Sequence, residues 1–316
     1  MKIVFVDAFT TNPGYVSLAS IEALGNFIAF DRTQPEELIG RVYDADIIIS
    51  NKVIIGDHEL EQLPNLKYIV VAATGYNNID IEAAKKRNIP VSNVRNYSSE
   101  SVVQQLFASL LSVLNKPEYY NTEVKKGRWS ATSDFSFYDH SIPALSSLTF
   151  GIIGLGNIGQ KVKEVATSFG MQVLDASVRE VKGNNSQKSH LFDVLKQSDI
   201  VSLHCPLTSE TKEIVNQEFL GHMKKGSILI NTARGPLLHV NDVLYALDSG
   251  ILNTLIVDVL EKEPPEKENP LIAHPKVFIT PHIAWANKGA REALIKGISE
   301  NIRSFINGKL INVVNE

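Results

Sequence analysis

Short apolar runs alternate with amphipathic stretches from the first residues of the chain. KIVFVDAF, NFIAFD, DIIIS, LKYIVVAA and IPVSNV are rich in Val, Ile and Phe and read as buried strands. Between them stand SLASIEALG, PEELIGRVYDA, HELEQL and DIEAAKKRN, whose apolar residues recur at helical spacing. Repeated strand and helix predict a parallel sheet covered by helices on both faces. SSESVVQQLFASLLSVLN then reads as a long helix with Ser98 or Ser99 at its N-cap, and Pro117 opens a further helix in PEYYNTEVKKGRW. A second strand and helix series runs through LTFGIIG, MQVLDAS, DIVSLHC, GSILINTA, TLIVDV and KVFITPHIA. The closing helix KGAREALIKGISENIRSFING leads to a strand-like KLINVVN, which begins no third unit. Its simplest use is to complete the first one, so residues 1–98 and 288–316 are expected to form a discontinuous domain around an inserted domain of residues 99–287.

Composition agrees with two domains: 316 residues at about 150 per domain, with 44% hydrophobic content to fill the cores. The net charge of -4 and the short, scattered lysine clusters offer no basic field, which argues against nucleic acid and for a small-molecule partner. Cys205 is the single cysteine, so an internal disulfide is excluded and a reducing compartment fits. No apolar run reaches the ~18 residues of a membrane span, and the N-terminus lacks a leader-like apolar core. A soluble cytoplasmic protein is expected.

The chemistry begins at GIIGLGNIG, where Gly154, Gly156 and Gly159 follow an apolar strand and precede the helical QKVKEVATSFG. Glycines at this spacing permit a tight turn, close approach of backbone to a pyrophosphate and close packing of helix on strand. The helix start, with Asn157 and Ile158, offers free N–H groups and a positive dipole. An unliganded glycine turn is the bland reading, but strand and helix context are both met, so a dinucleotide-binding Rossmann unit is predicted. Asp175, 19 residues past Gly156, could bind the ribose of NAD. Ser177 and Arg179 just beyond it would instead suit the 2'-phosphate of NADP, and the choice between NAD and NADP stays open.

With this turn, NTARG at Asn231–Gly235, DVLEKEPP at Asp258–Pro265 and TPHIAWA at Thr280–Ala286, the chain resembles the D-isomer-specific 2-hydroxyacid dehydrogenases over nearly its full length. GRWS, DFSFYD and the tryptophan of HIAWA are similar to the glycerate dehydrogenase or hydroxypyruvate reductase branch. The resemblance implies two doubly wound α/β domains, a Rossmann NAD(P)-binding domain inserted into a flavodoxin-like substrate domain. It also implies hydride transfer between NAD(P)H and C2 of a small 2-keto or 2-hydroxy acid. By motif, Arg234 takes the substrate carboxylate and keto oxygen, Glu263 is the acid partner and His282 is the proton donor and acceptor.

Physical chemistry supports these three on independent grounds. The planar fork of arginine binds a carboxylate through two parallel hydrogen bonds. Arg234 follows the buried ILINTA, at a strand's carboxyl end, where open α/β sheets bind ligands. Oxygen charge that builds as hydride arrives needs a proton, and a histidine titrates in the right range. His282 closes the apolar VFIT. An imidazolium in a dry cleft needs a neighbouring carboxylate, and Glu263 is assigned to hold that charged form of His282 and to orient its ring. A surface ion pair for Arg234 and a structural histidine are the bland readings.

Further positions come from the resemblance. His204, Cys205, Pro206, Thr232, Ala233, Asp258 and Val102 match cofactor-contacting places, Asp258 at the nicotinamide amide; SVVQQ departs from the family where Val102 and Gln104 stand. Ala73, Thr74 and Gly75 would offer backbone N–H groups to the substrate carboxylate, Lys52 a cation, and Trp285 a wall of the substrate pocket. Cys205 is read as packing. No histidine or cysteine spacing suggests a metal site. Closure of two domains is expected about hinges near 96–99 and 286–288, and a homodimer through the long helix and the aromatic segment 128–139 is implied by resemblance. Two rivals remain: a dehydrogenase of another small acid such as D-lactate, formate or phosphoglycerate, and a catalytically silent nicotinamide-sensing regulator.

Overall fold

The computed structural model describes residues 1–178 and 185–316, with the side chains of all of these but 185–189. The described residues divide into two units, Met1–Ser98 with Ala286–Glu316, and Ser99–Trp285. The second crossing thus falls at Ala286, two residues before the expected 288.

The first unit is built on a parallel sheet of β1 (Lys2–Phe5), β2 (Asn26–Ala29), β3 (Ile47–Ser50), β4 (Tyr68–Val71) and β5 (Val91–Ser92), in the order β2-β1-β3-β4-β5. β3 and β4 are buried at every position, which is why they read IIIS and YIVV, nearly continuous apolar runs. Local signals start the helices between them. Gln34 and Glu37 form a capping box on either side of Pro35, with the Gln34 N–H donating to Glu37 Oε2 at 2.9 Å, and the Asp80 carboxylate accepts the N–H of Ala83 at 2.9 Å. The Lys288–Ile306 helix begins where Asn287 Oδ1 accepts the N–H of Ala290 at 2.7 Å. It buries Leu294, Ile295, Ile298 and Ile302, and Phe305 stacks on Tyr68 with ring centroids 4.5 Å apart.

KLINVVN is not a strand. It makes one isolated antiparallel bridge, Ser92 with Val313, because Asn312 turns left-handed at φ +56° and ties its side chain to Asn301. An extended run cannot continue through that residue.

The second unit carries β6 (Thr149–Ile153), β7 (Gln172–Ala176), β8 (Ile200–Leu203), β9 (Ser227–Asn231), β10 (Leu252–Val257) and β11 (Val277–Ile279), all parallel, in the order β11-β10-β9-β8-β6-β7. Helices Ser99–Asn115 and Asn157–Ser168 pack on one face around Leu106, Phe107, Leu110, Val162 and Ala166. In each sheet the strand order reverses beside the first strand of its unit, so the carboxyl ends of β1 and β3, and of β6 and β8, flank a topological switch point. No helix among the described residues is long and apolar enough to cross a membrane.

Candidate active site

Three neighbouring strands of the second sheet, β9, β10 and β11, end in loops that interlock. Asn231, the last residue of β9, brackets the first loop: its amide nitrogen donates to Arg234 O at 2.9 Å and its Oδ1 accepts the N–H of Ala233 at 3.0 Å. Arg234 is half-buried, with its guanidinium on Ala233 O at 2.7 Å. Gly235 comes next, and a Cβ there would lie 2.0 Å from Leu260 C, so only glycine lets the β9 loop press on the β10 loop.

The β10 loop turns Glu263 toward His282. Its Oε1 accepts the N–H of Leu260 at 2.9 Å, and its Oε2 stands 2.5 Å from His282 Nδ1. A carboxylate only accepts, so Nδ1 carries the proton, which leaves Nε2 as the ring atom for proton exchange. Both side chains are partly open, 28% for His282 and 31% for Glu263.

His282 has a left-handed backbone, φ +53°, which costs a non-glycine residue about 1–3 kcal/mol. Asp258, 3% exposed, holds it there: Oδ1 accepts the Thr280 hydroxyl at 2.5 Å and the N–H of Ile283 at 2.9 Å, and Oδ2 accepts the N–H of Ala284 at 2.8 Å. The three bonds tie residues on both sides of His282 to one buried group. Burial pushes the Asp258 carboxyl above the usual range, opposed by Thr280, by these N–H groups and by the charge of His282.

The glycine turn follows β6. Gly154 has φ +101°, and a Cβ on it would sit 2.8 Å from Cys205 N; one on Gly159 would sit 2.2 Å from Gly154 O. At Gly156 a Cβ would meet nothing within 4 Å, so protein packing does not demand that glycine. Open space at the second glycine, ahead of the Asn157–Ser168 helix, is what close approach to a pyrophosphate requires. Asn157 is exposed there and Ile158 half-buried. Thr232 Oγ1 past β9 is buried with no partner among the described residues, a second feature that fits a bound cofactor. Ala233 is half-buried and Pro206 exposed.

His204, past β8, takes a hydrogen bond with Ser202 Oγ at 2.9 Å, and burial pushes its imidazole down to about 4. It is therefore neutral at physiological pH. Burial pushes the Cys205 thiol up to about 11, which removes it from thiolate chemistry. The Asp175 carboxylate pairs with Lys163 at 2.9 Å. Ser177 is exposed just after β7, and Arg179 lies outside the described residues. Val102 is 6% exposed within the long helix, and Trp285 is half-buried at the end of the unit. No group of three or more His, Cys, Asp or Glu among the described residues could hold a metal ion.

Lys52, Ala73, Thr74 and Gly75 belong to the first unit, at the carboxyl ends of β3 and β4. Lys52 and Thr74 are exposed. Asp7, past β1 and 8% exposed, accepts three successive N–H groups there: Asn51 at 2.8 Å, Lys52 at 2.6 Å and Val53 at 3.0 Å. Burial pushes its carboxyl up against those bonds. The sequence reading missed Asp7, Asn231 and Thr280 as organisers of these loops. Their common signal is a polar side chain at or just past the carboxyl end of an apolar strand.

Residues 107–284 match the D-isomer specific 2-hydroxyacid dehydrogenase family over its NAD binding domain. The hydroxypyruvate reductase of Blautia hydrogenotrophica is 39% identical over 100% of both chains. The glycerate dehydrogenase of Methylorubrum extorquens is 38% identical over 89% of this chain and 88% of its own. Among solved structures, an acyclic imino acid reductase in complex with NADPH and D-Arg superposes with a TM-score of 0.84 at 31% identity, covering 99% of this chain and 100% of that one.

Proposed function

Because the chain belongs to the D-isomer specific 2-hydroxyacid dehydrogenase family of NAD(P)-dependent oxidoreductases, we propose that it reduces a small 2-keto acid, hydroxypyruvate or glyoxylate, to the D-2-hydroxy acid. The observation that carries the reading is the 2.5 Å pairing of His282 Nδ1 with Glu263, one loop away from Arg234. In it, Arg234 grips the carboxylate and orients the keto group, and His282 Nε2 delivers a proton to the oxygen as charge builds there. Glu263 keeps the imidazolium and its orientation. Gly154, Gly156, Gly159 and Thr232 would hold the dinucleotide, whose nicotinamide supplies the hydride to C2 when bound. Lys52 and the N–H groups of Ala73, Thr74 and Gly75 are assigned to substrate on the strength of their place at the first sheet's carboxyl edge.

We further propose a homodimer, supported by a braced arm that exposes Trp129, Phe135 and Tyr138 at 52%, 88% and 77%. The cytoplasm is its proposed compartment, on the strength of the lone buried Cys205.

The test is a matrix of initial rates, NADH and NADPH against glyoxylate, hydroxypyruvate, pyruvate and bulkier keto acids, repeated with His282→Asn. Asparagine tolerates the left-handed backbone, so the variant removes the imidazole without unfolding the loop. Turnover of the small keto acids by the wild type and its loss in His282→Asn, with cofactor binding retained, is expected. Cofactor binding without turnover of any keto acid by the wild type would turn the reading toward a nicotinamide-sensing regulator.

A further inference from the structure

Thr280 stands at the exit of β11, two residues before His282, and each of its polar groups is committed. Its N–H donates to Val257 O of β10 at 3.0 Å, its hydroxyl donates to Asp258 Oδ1 at 2.5 Å, and its carbonyl accepts the N–H of His282 at 3.0 Å. The side chain is β-branched, which restricts χ1 and so aims the hydroxyl. Asp258 grips the turn on its far side through Ile283 and Ala284, and Thr280 is its grip on the near side. His282 lies between the two grips, in a backbone conformation that a free loop would leave.

We infer that Thr280 is a positioning residue for His282: its hydroxyl, donated to the buried Asp258 carboxylate, fixes the turn that keeps the imidazole on Glu263. The inference rests on the reading of His282 as the proton-exchanging group. Proton transfer needs the donor held to about 0.5 Å, and that precision comes from the groups behind the donor as well as from the donor itself. Without the hydroxyl, Oδ1 keeps the Ile283 N–H, but the near side of the turn is held only by the backbone bond of the Thr280 N–H to Val257 and loses its tie to Asp258. The imidazole would then spend part of its time off Glu263 and away from the line to the substrate oxygen. Substrate carboxylate and cofactor, held elsewhere, would still bind.

Steady-state kinetics at saturating cofactor and keto acid test this with three variants. Thr280→Val keeps the shape and loses the hydroxyl; a displacement near 1 Å lowers kcat by about 10²-fold. KM for the keto acid and Kd for NAD(P)H should stay within about threefold of wild type, since neither uses the hydroxyl. Thr280→Ser restores the hydroxyl and should restore most of kcat, a rescue that a merely structural methyl contact would not give. His282→Asn reports on the underlying reading. Should His282→Asn be inactive while Thr280→Val keeps wild-type kcat, the inference is overturned and the reading stands. If Thr280→Ser is as slow as Thr280→Val, the hydroxyl is not the agent and the inference is again overturned. An active His282→Asn would instead sink the reading on which it rests. Should Thr280→Val fail to fold, Thr280→Ala, which removes the same hydroxyl without placing a methyl against the Asp258 carboxylate, carries the same expectation of a kcat loss at unchanged KM, and unchanged kcat there overturns it.

Discussion

Glu263 shares its loop with Glu261, Glu266 and Glu268, and composition cannot tell the four apart. Position does: Glu266 takes Lys262 at 2.6 Å on the surface, whereas Glu263 is fastened by Leu260 and faces His282. Glu263→Gln keeps the size and loses the charge that the imidazolium needs. Reductive kcat should fall about 10- to 100-fold with KM for the keto acid little changed, in stopped-flow or initial-rate assays. Equal kcat would show that the pairing serves stability alone. A second residue-scale expectation concerns His204. In the fold it titrates near 4, while an exposed histidine titrates near 6.5, so between these values the unfolded chain binds the extra proton. Stability must therefore fall as pH drops from about 6.5 to about 4, by on the order of 3 kcal/mol from this group, and the contribution is constant outside the window. His204→Gln should flatten that part of the urea-midpoint profile; a profile as steep as wild type would place the titration elsewhere. Arg234, Glu263 and His282 were legible because each ends or follows an apolar strand in a recognisable motif. Asp7, Asn231 and Thr280 also stand at strand ends, but their work is a hydrogen bond to a loop distant in sequence or to their own turn, and neither periodicity nor strand position encodes such a bond.

At the scale of elements, alternating strands and helices were legible because parallel strands buried on both faces spell continuous apolar runs. The failure at KLINVVN has the same root: its pattern is strand-like, and a single left-handed Asn312 overrides it. Loops join strand ends through close approach, which sequence spacing does not report. Two glycines separate the uses of such approach. Gly235→Ala would place a methyl 2.0 Å from Leu260 C, forcing back the loop that carries Glu263. Overpacking of this kind costs about 1–3 kcal/mol, so a lowered melting temperature with a drop in kcat is expected. Gly156→Ala meets no protein atom within 4 Å and should melt like wild type. Its effect should appear in a cofactor titration, as weaker NAD(P)H binding where the methyl intrudes on the pyrophosphate. Tight binding by Gly156→Ala would remove that turn from the cofactor site.

On the scale of the whole molecule, both sheets repeat one device, a buried aspartate at a strand's carboxyl end that accepts bonds from a neighbouring loop: Asp7 in the first unit and Asp258 in the second. The arm that follows the long helix is braced by Arg128, which grips both carboxylate oxygens of Asp139 at 2.5 and 2.7 Å, and by Tyr119 OH at 2.6 Å. The Arg128 guanidinium holds the Asp139 carboxyl down at about 2, so the brace persists at any physiological pH. If the exposed rings of the arm seal a dimer, the double variant Phe135→Asp, Tyr138→Asp should sediment as a monomer at micromolar concentration where the wild type sediments as a dimer. A monomeric wild type would refute the assembly. The divided first unit also bears on how the chain is made. Its sheet strands leave the ribosome early, but the Lys288–Ile306 helix that covers Tyr68 follows only after residues 99–285. At about 5–20 residues per second that interval is roughly 10–40 s, time in which the inserted unit can close while its host still shows an uncovered apolar face to chaperones.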